Sequence, residues 1–308
     1  MKVLVTGGLG HIGSNLIRLL KGCDLIVVDD FMTQRYASLF NLSPETKIDF
    51  FEKNVQSISA EWLLEVGPID LIIHLSATTD AAGNAQNREA LFENNLNGTK
   101  HIAKLALSLG IKFIFPSSTS VYGSQSDLVD ETCTELLPQS PYAESKLAEE
   151  NLLQQLSEEG LRVAILRFGT IHGASAGMRF HTAVNRFIFQ SKLGIPLTVW
   201  RTALDQKRPY LSLLDCIAAV QHVMDRDLFD GEVYNIVTQN WTVREIIENI
   251  ELVSGVKAQI SFVDVAIMNQ LSYEVSSLKF QETGFVFHGD LRQDIEDTLV
   301  LLSGIHNV

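Results

Sequence analysis

The stretch Lys2-Val-Leu-Val-Thr-Gly-Gly-Leu-Gly-His-Ile-Gly13 decides the fold of this chain. It begins as a short apolar strand, continues as a glycine-rich turn and leads at Ser14 into a segment with helical periodicity. A strand, a glycine turn and a helix in this order form the context that a dinucleotide-binding fingerprint requires. Gly7 suits the tight turn, Gly10 lets the backbone approach a pyrophosphate, and Gly13 permits close packing of helix on strand. The N-terminus of the helix adds N–H donors for the phosphates.

A second apolar segment supports this interpretation. Residues 24–28 are typical of a buried strand, and Asp29 and Asp30 follow it, about twenty residues after the glycines, as the fingerprint expects. A carboxylate at this position accepts hydrogen bonds from the ribose hydroxyls and repels a 2′-phosphate. The sequence therefore predicts an NAD site and disfavours both NADP and a glycine turn without a ligand.

Strand and helix patterns continue to alternate along the N-terminal half. We predict further strands at 48–51, 70–75, 112–116 and 162–167, and helices at 60–66, 90–109 and 142–156. Strands that alternate with helices favour a parallel, doubly wound sheet.

Bulk composition limits the class of protein. The 308 residues are 20% charged and carry a net charge of −13 at pH 7, which argues against nucleic acid or an anionic membrane surface as partner. The sequence has neither a signal-peptide pattern nor an apolar run of the roughly 20 residues that a membrane helix needs. Its three cysteines are widely spaced, so we expect a cytoplasmic protein. His172 and His181 lack a metal-ligand pattern, and no metal is expected.

The run Pro141-Tyr-Ala-Glu-Ser-Lys146 contains a candidate catalytic pair. Tyr142 and Lys146 lie four positions apart on a predicted helix, so both side chains share one face. A nearby cation favours the phenolate over the phenol, which makes the tyrosine a general base or acid for a hydroxyl group.

Together, the glycine motif and the Tyr142/Lys146 pair resemble the extended short-chain dehydrogenase/reductase family. Within it, the chain is similar to the nucleotide-sugar epimerases and dehydratases, the group that includes UDP-glucose 4-epimerase. Further segments resemble motifs of this group: His74-Leu-Ser-Ala77, Asn95-Leu-Asn-Gly-Thr99, Ser117-Ser-Thr-Ser-Val-Tyr-Gly123, Leu166-Arg-Phe-Gly-Thr-Ile-His-Gly173, Arg208-Pro-Tyr-Leu-Ser-Leu-Leu-Asp215 and Val233-Tyr-Asn-Ile236.

The resemblance implies a Rossmann-type, doubly wound α/β domain with a smaller C-terminal α/β substrate lobe. It places the NAD-binding domain at 1–169, with a returning segment near 208–237, and the nucleotide-sugar lobe mainly at 170–308. It also implies a homodimer through the helices at 90–109 and 142–156, although their apolar stripes would equally suit a monomer core. The implied NAD-binding residues are Gly7, Gly10, His11, Ile12, Gly13, Asp29, Asp30, Asn54, Val55, Leu75, Ser76, Ala77, Asn95, Tyr142 and Lys146.

For catalysis, the resemblance implies that Ser118 shares the substrate hydroxyl with Tyr142, while Lys146 holds the nicotinamide ribose. A nucleotide-diphosphate sugar is the implied substrate, and Arg208 is the arginine that holds its diphosphate. Arg179 is a second candidate for phosphate or sugar, with an exposed surface arginine as the alternative. The implied substrate-binding residues are Thr78, Ser118, Thr119, Thr170, Arg179, Asn185 and Arg208.

Three positions depart from the family pattern. Asn54 replaces the usual aspartate beside the adenine, and Thr170 replaces a frequent asparagine. Thr119 and Ser120 stand where the 4,6-dehydratases carry an Asp-Glu pair, and hydroxyl groups supply the acid and base for dehydration poorly.

The sequence therefore predicts an NAD-dependent epimerase that acts at C4. An NAD(P)H-dependent 4-keto-sugar reductase, or another short-chain dehydrogenase that modifies sugar nucleotides, is the alternative enzyme. A non-catalytic dinucleotide sensor is the alternative from another class. The nucleotide base and the sugar stay open.

Overall fold

Seven parallel strands form the central sheet of the computed structural model, which describes residues 1–79, 88–180, 182–263 and 272–305. In the order in which they pair, they are β11 (Val233–Ile236), β7 (Val163–Phe168), β5 (Lys112–Ser118), β4 (Leu71–His74), β1 (Lys2–Thr6), β2 (Asp24–Asp29) and β3 (Ile48–Glu52). Every side chain of β4 and β7 is buried, as expected for strands that are covered on both faces. The predicted parallel, doubly wound sheet is confirmed. His181 lies outside the described residues.

Helices pack on both faces of this sheet. On one face, α1 (His11–Leu19) and α7 (Leu213–Arg226) share an apolar cluster with β1 and β2. On the other face, the apolar residues of three helices contact the sheet: α2 (Ala60–Glu65), α4 (Gly98–Leu109) and α5 (Pro141–Glu158). None of the helices in the described part of the chain combines the length and apolar character needed to span a bilayer.

The smaller C-terminal lobe is confirmed as a set of short sheets and helices. A three-stranded sheet contains β12 (Gln239–Thr242), β10 (Lys207–Ser212) and β8 (Thr170–His172), and two strand pairs join β13 (Ile260–Val263) to β9 (Leu197–Trp200) and β14 (Glu274–Val275) to β6 (Leu128–Val129). Three helices of this lobe share one apolar core with β9 and β10: α6 (Ala183–Lys192), α8 (Val243–Ser254) and α10 (Leu291–Leu301). The short helix α9 (Leu278–Glu282) packs beside β11. The predicted domain boundaries stay a prediction.

The predicted helix at 90–109 is divided into three parts. α3 (Arg88–Phe92) is followed by a π-helical segment, Glu93–Asn97, and only then by α4. A π-helical turn contains an additional residue per hydrogen-bonded ring and often lies at a functional site. Single 3₁₀ turns complete the described structure at Tyr36–Leu39, Val55–Ser57, Thr119–Tyr122 and Arg201–Ala203.

The strand order reverses between β1 and β4. The chain runs outward from β1 through β2 to β3, and it then crosses back to add β4, β5, β7 and β11 on the other side. In open parallel sheets, ligands bind beyond the carboxyl ends of the strands at such a reversal. The fold therefore places the glycine turn and the end of β4 on either side of one crevice.

We expect Gly7→Ala to destabilise the fold more than Gly110→Ala does. The two glycines have φ of +66° and +67°, so both substitutions meet the cost of left-handed backbone, about 1–2 kcal/mol. At Gly7 the new Cβ would also lie 2.6 Å from the Ser76 nitrogen, whereas nothing lies within 4 Å at Gly110. Overpacking should add about 1–3 kcal/mol to the loss at Gly7. Urea unfolding measures both losses, and equal losses would contradict the expectation.

Candidate active site

The glycine turn and the end of β4 touch through backbone atoms. The Leu75 N–H donates to the Thr6 carbonyl at 2.9 Å, and the left-handed Gly7 lies against Ser76. A Cβ at Gly10 would lie 3.3 Å from the Gly7 carbonyl oxygen and 3.7 Å from a guanidinium nitrogen of Arg35. The turn therefore has no side chain at Gly7 and Gly10 and has a cation beside it, which fits the diphosphate of a dinucleotide.

His11 opens α1 and is buried at the same place. Its Nδ1 forms a 2.7 Å hydrogen bond with the Ser175 hydroxyl, and its Nε2 has no hydrogen-bond partner among the described residues. Burial, and then the charges of Arg179 and Arg35, lower the pKa of His11 to about 3. His11 is therefore neutral at physiological pH, and two arginines contribute the positive charge around the helix N-terminus.

Asp29 is held by the backbone at the end of β2. Its carboxylate accepts the Leu9 N–H at 3.1 Å and the Phe31 N–H at 3.0 Å. Burial raises the pKa of Asp29, although these two hydrogen bonds oppose the shift. The carboxylate is thus oriented by the glycine turn itself, as a ribose ligand would need.

Asp30, the residue after Asp29, is hydrogen-bonded to Asn54. The Asn54 amide donates to the exposed Asp30 carboxylate at 3.1 Å. Val55 follows and is buried, close enough to Gly98 that a Cβ on that glycine would lie 3.3 Å away. The amide at Asn54 therefore binds a neighbouring carboxylate, and the predicted cofactor contacts of Asp30, Asn54 and Val55 stay a prediction.

Asn95 explains the π-helical turn. Its buried amide accepts the Thr78 N–H at 2.8 Å, donates to the Thr78 carbonyl at 3.0 Å and reaches the Ser145 hydroxyl at 3.3 Å. One side chain thus ties the segment after β4 to α5. The local sequence pattern did not indicate this break in the helix, because it depends on contacts with two distant segments.

The start of α5 fixes the candidate catalytic pair. Ser140 caps the helix by accepting the Ala143 N–H at 3.2 Å, and Pro141 occupies its first turn. One turn later, the Lys146 ammonium lies 5.9 Å from the centroid of the Tyr142 ring. The predicted pair is therefore brought together on the face of α5 that packs against β5.

Ser118 ends β5, directly before a turn that packs against α5. Its Oγ accepts the Ser120 hydroxyl at 2.9 Å and the Ser120 N–H at 3.2 Å. The Thr119 hydroxyl is buried, donates to the Phe168 carbonyl at 3.3 Å and lies 3.3 Å from the Tyr273 hydroxyl. Ser118 is partly exposed, whereas Thr119 is directed into the protein.

Tyr273 was not found by sequence reasoning. It lies at the far end of the chain, outside any motif, and its ring is buried beside Thr119. Burial raises the pKa of Tyr273 and that of Tyr210, the latter to about 12, and the charge of Arg208 opposes both shifts. Arg208 therefore lies near both tyrosines, on the side of the site that the C-terminal lobe forms.

Two other predicted substrate residues, Asn185 and Arg179, are joined through the segment at 173–179. Asn185 is fully buried, accepts the Gly173 N–H at 3.3 Å and donates to the Gly173 and Arg179 carbonyls at 3.4 Å. Arg179 donates to the Thr79 hydroxyl, beyond the end of β4. Thr170 opens β8 and is partly exposed. Asn185 therefore positions a loop, and the substrate roles of these residues stay predictions.

The residues that the structure describes were also compared with the requirements of a metal site. The described ranges contain no group of three or more histidine, cysteine, aspartate or glutamate side chains that could hold a metal ion. His172 instead lies with its Nδ1 2.8 Å from the Asp294 carboxylate.

The chain is similar to several proteins that act on nucleotide sugars. Residues 3–237 match the model of the NAD dependent epimerase/dehydratase family. The uncharacterized UDP-glucose epimerase YtcB of Bacillus subtilis is 31% identical over 278 residues, 86% of this chain and 85% of that protein. The UDP-N-acetyl-alpha-D-glucosaminuronate decarboxylase of Bacillus cytotoxicus is 29% identical over 261 residues, 81% of this chain and 79% of that protein.

A solved structure is similar over nearly the whole length. It is a mutant of UDP-glucuronic acid 4-epimerase from Bacillus cereus, in complex with UDP-4-deoxy-4-fluoro-glucuronic acid and NAD. The TM-score is 0.88 at 25% sequence identity, and the match covers 98% of this chain and 99% of that one.

Asp29→Asn should reduce the preference for NAD over NADP by about tenfold or more, because the carboxylate no longer repels the 2′-phosphate. Asp30→Asn is the matched control and should change the preference less, since water screens its exposed charge. Titration of both cofactors gives the dissociation constants. In the wild type, the preference should weaken as pH falls through the raised pKa of Asp29. Equal or tighter binding of NADP to the wild type would contradict this role.

Proposed function

This chain belongs to the NAD dependent epimerase/dehydratase family, and from that premise we propose that it inverts C4 of a nucleotide sugar through a transient 4-keto sugar. The observation that carries the proposal is the Tyr142/Lys146 pair beside a turn that offers only hydroxyl groups. A proton can be moved at one sugar hydroxyl, whereas the turn contains no carboxyl group that could assist the loss of water.

Tyr142, as the phenolate, accepts the proton of the C4 hydroxyl in this mechanism. Lys146 supplies the positive charge that favours the phenolate, and Ser118 bonds the same hydroxyl. Bound NAD would supply the hydride acceptor for C4 and, once the 4-keto sugar has turned over in the site, the hydride donor for its opposite face. Tyr142 then returns its proton, so neither cofactor nor protein is changed after a turnover.

The environment of Thr119 supports epimerisation over dehydration. Thr119 occupies a position at which the dehydratases carry an acidic residue, and its hydroxyl is already used by the Phe168 carbonyl and Tyr273. Ser120 is similarly used, because its hydroxyl donates to Ser118. Both groups stabilise the turn and leave Ser118 and Tyr142 as the hydroxyls for the sugar.

The positive charge near the crevice supports a diphosphate-linked substrate. The protein carries a net charge of −13, so an anionic substrate needs local arginines, whose planar guanidinium groups bind phosphate through two hydrogen bonds. Arg208 and Arg179 are the proposed anchors. UDP-glucose and UDP-glucuronic acid are the first substrates to test, since relatives and a structural neighbour are named for them. A homodimer stays part of the proposal.

Arg208→Ala should raise the Michaelis constant for the nucleotide sugar about tenfold or more and leave NAD affinity nearly unchanged, because the arginine is the proposed anchor of the substrate diphosphate. Arg201→Ala is the control, since this exposed arginine lies over the Phe262 ring at 4.6 Å. Steady-state kinetics and NAD titration measure the two effects. Weak NAD binding with a normal Michaelis constant would assign Arg208 to the cofactor.

Incubation with the right nucleotide sugar, without added reductant, should give an equilibrium mixture of two epimers of identical mass. Deuterium at C4 should stay on the sugar, because the hydride returns to the carbon that lost it. Mass spectrometry and NMR measure both. A product lighter by one water would indicate a dehydratase. Stoichiometric consumption of NADH, in a parallel incubation to which it is added, would indicate the reductase.

Tyr142→Phe provides the control for this reaction. It should fold normally, bind NAD and turn over roughly 10²–10⁴-fold more slowly, the usual loss for acid–base catalysis. Normal turnover by this variant would contradict the proposed proton transfer.

A further inference from the structure

A buried carboxylate lies one helical turn after the candidate catalytic lysine. Glu149 is fully buried, and its Oε2 lies 3.4 Å from the Lys146 ammonium, which is itself 4% exposed. Among the described residues, Glu149 Oε2 has no hydrogen-bond partner. A buried carboxylate is costly unless it is paired with a cation, so the position of Glu149 depends on Lys146.

Three further side chains orient this carboxylate from neighbouring elements. The Thr99 hydroxyl of α4 donates to Glu149 Oε1 at 2.5 Å. His74 of β4 lies with Nε2 3.1 Å from the Thr99 hydroxyl, and its Nδ1 lies 2.7 Å from the hydroxyl of Thr6, the last residue of β1. These contacts form a continuous series of buried hydrogen bonds from the glycine turn to α5.

The protons in this series of hydrogen bonds have one consistent arrangement. Thr99 gives its only hydroxyl proton to Glu149, so it must accept from His74 Nε2. His74 Nδ1 is then unprotonated and accepts the hydroxyl proton of Thr6. Every donor thus points toward Glu149, which stabilises its negative charge and fixes its position.

The charge balance of the region reduces to a single ion pair. Burial, and then the charge of Lys146, lower the pKa of His74 to about 3, so His74 is neutral. Glu150, the next residue of α5, is paired with Arg167 at 2.7 Å, so its charge is already balanced. On α4 and on the π-helical segment, which both pack against α5, the charged residues Lys100 and Glu93 are exposed. Tyr142 is a titratable group beside Lys146, with its ring centroid 5.9 Å from the ammonium.

We propose that Glu149 is the positioning residue of Lys146, held in place by Thr6, His74 and Thr99. It occupies one side of the ammonium and leaves the other donors for the cofactor ribose and Tyr142. The Phe115 ring, with its centroid 4.3 Å from the ammonium, closes another side. This inference rests on the proposed function only in that Lys146 binds the cofactor and serves Tyr142.

The experiment measures the NAD dissociation constant from pH 6 to pH 10 for the wild type and Glu149→Gln. The pH above which NAD affinity falls should be lower for Glu149→Gln than for the wild type, because the lost carboxylate charge no longer favours the ammonium form of its neighbour. Glu149→Asp keeps the charge and should restore the wild-type pH dependence, even if its shorter side chain weakens binding.

Glu150→Gln is the matched control for a structural effect. It removes a buried carboxylate of the same helix, leaves Arg167 unpaired and should lower the melting temperature, with the pH dependence of NAD binding unchanged. If Glu149→Gln folds poorly, Glu149→Asp and Thr99→Val still test the proposal. Thr99→Val keeps the carboxylate charge but removes its orienting hydrogen bond, so it should weaken NAD binding without moving the pH of the fall.

The outcomes separate this inference from the proposed function. Glu149→Gln with the affinity and pH dependence of the wild type would overturn the role of Glu149. So would a Lys146→Ala protein that binds NAD normally. A wild type that binds NAD but converts no nucleotide sugar would overturn the epimerase proposal. The NAD titrations would still test the role of Glu149 in positioning Lys146.

Discussion

The close contact between the glycine turn and the end of β4 is the constraint on which the site depends. Gly7 is left-handed and lies against Ser76, so the two chain segments diverge only beyond this point. The crevice opens there because the strand order reverses between β1 and β4. The same contact directs the N-terminus of α1 into the crevice. It also fixes the start of the segment after β4, which Asn95 then holds through two hydrogen bonds to Thr78.

Helix α5 complements this contact with buried charge. Its inner face carries Lys146, Glu149 and Glu150, and each is paired, the last of them with Arg167. Buried ion pairs add little net stability, but an incorrect partner would leave an uncompensated charge in the core. We infer that these pairs determine the rotation of α5, and with it the direction in which Tyr142 faces. An apolar stripe would tolerate small rotations that a paired charge does not.

Much of the site was predictable because its residues belong to short local patterns. The strand and glycine spacing predicted the cradle, the position of Asp29 predicted a carboxylate at its edge, and the interval from Tyr142 to Lys146 predicted a shared helix face. The structure adds that Asp29 is held by the Leu9 and Phe31 N–H groups. Local patterns did not reveal that Thr119 is directed inward, since its partner Tyr273 lies 154 positions away.

The sequence by itself determined the sheet, the glycine turn and the placement of Tyr142 and Lys146 on one helix face, because hydrophobic period and residue spacing act over a few positions. Only the tertiary structure decided what surrounds that pair. Glu149 reaches Thr99 across 50 positions, and His74 reaches Thr6 across 68. These residues become neighbours because β1 and β4 are adjacent strands and α4 packs against α5, an arrangement that no local pattern contains. Buried charges are satisfied by whichever groups the fold brings close, so their partners follow from topology.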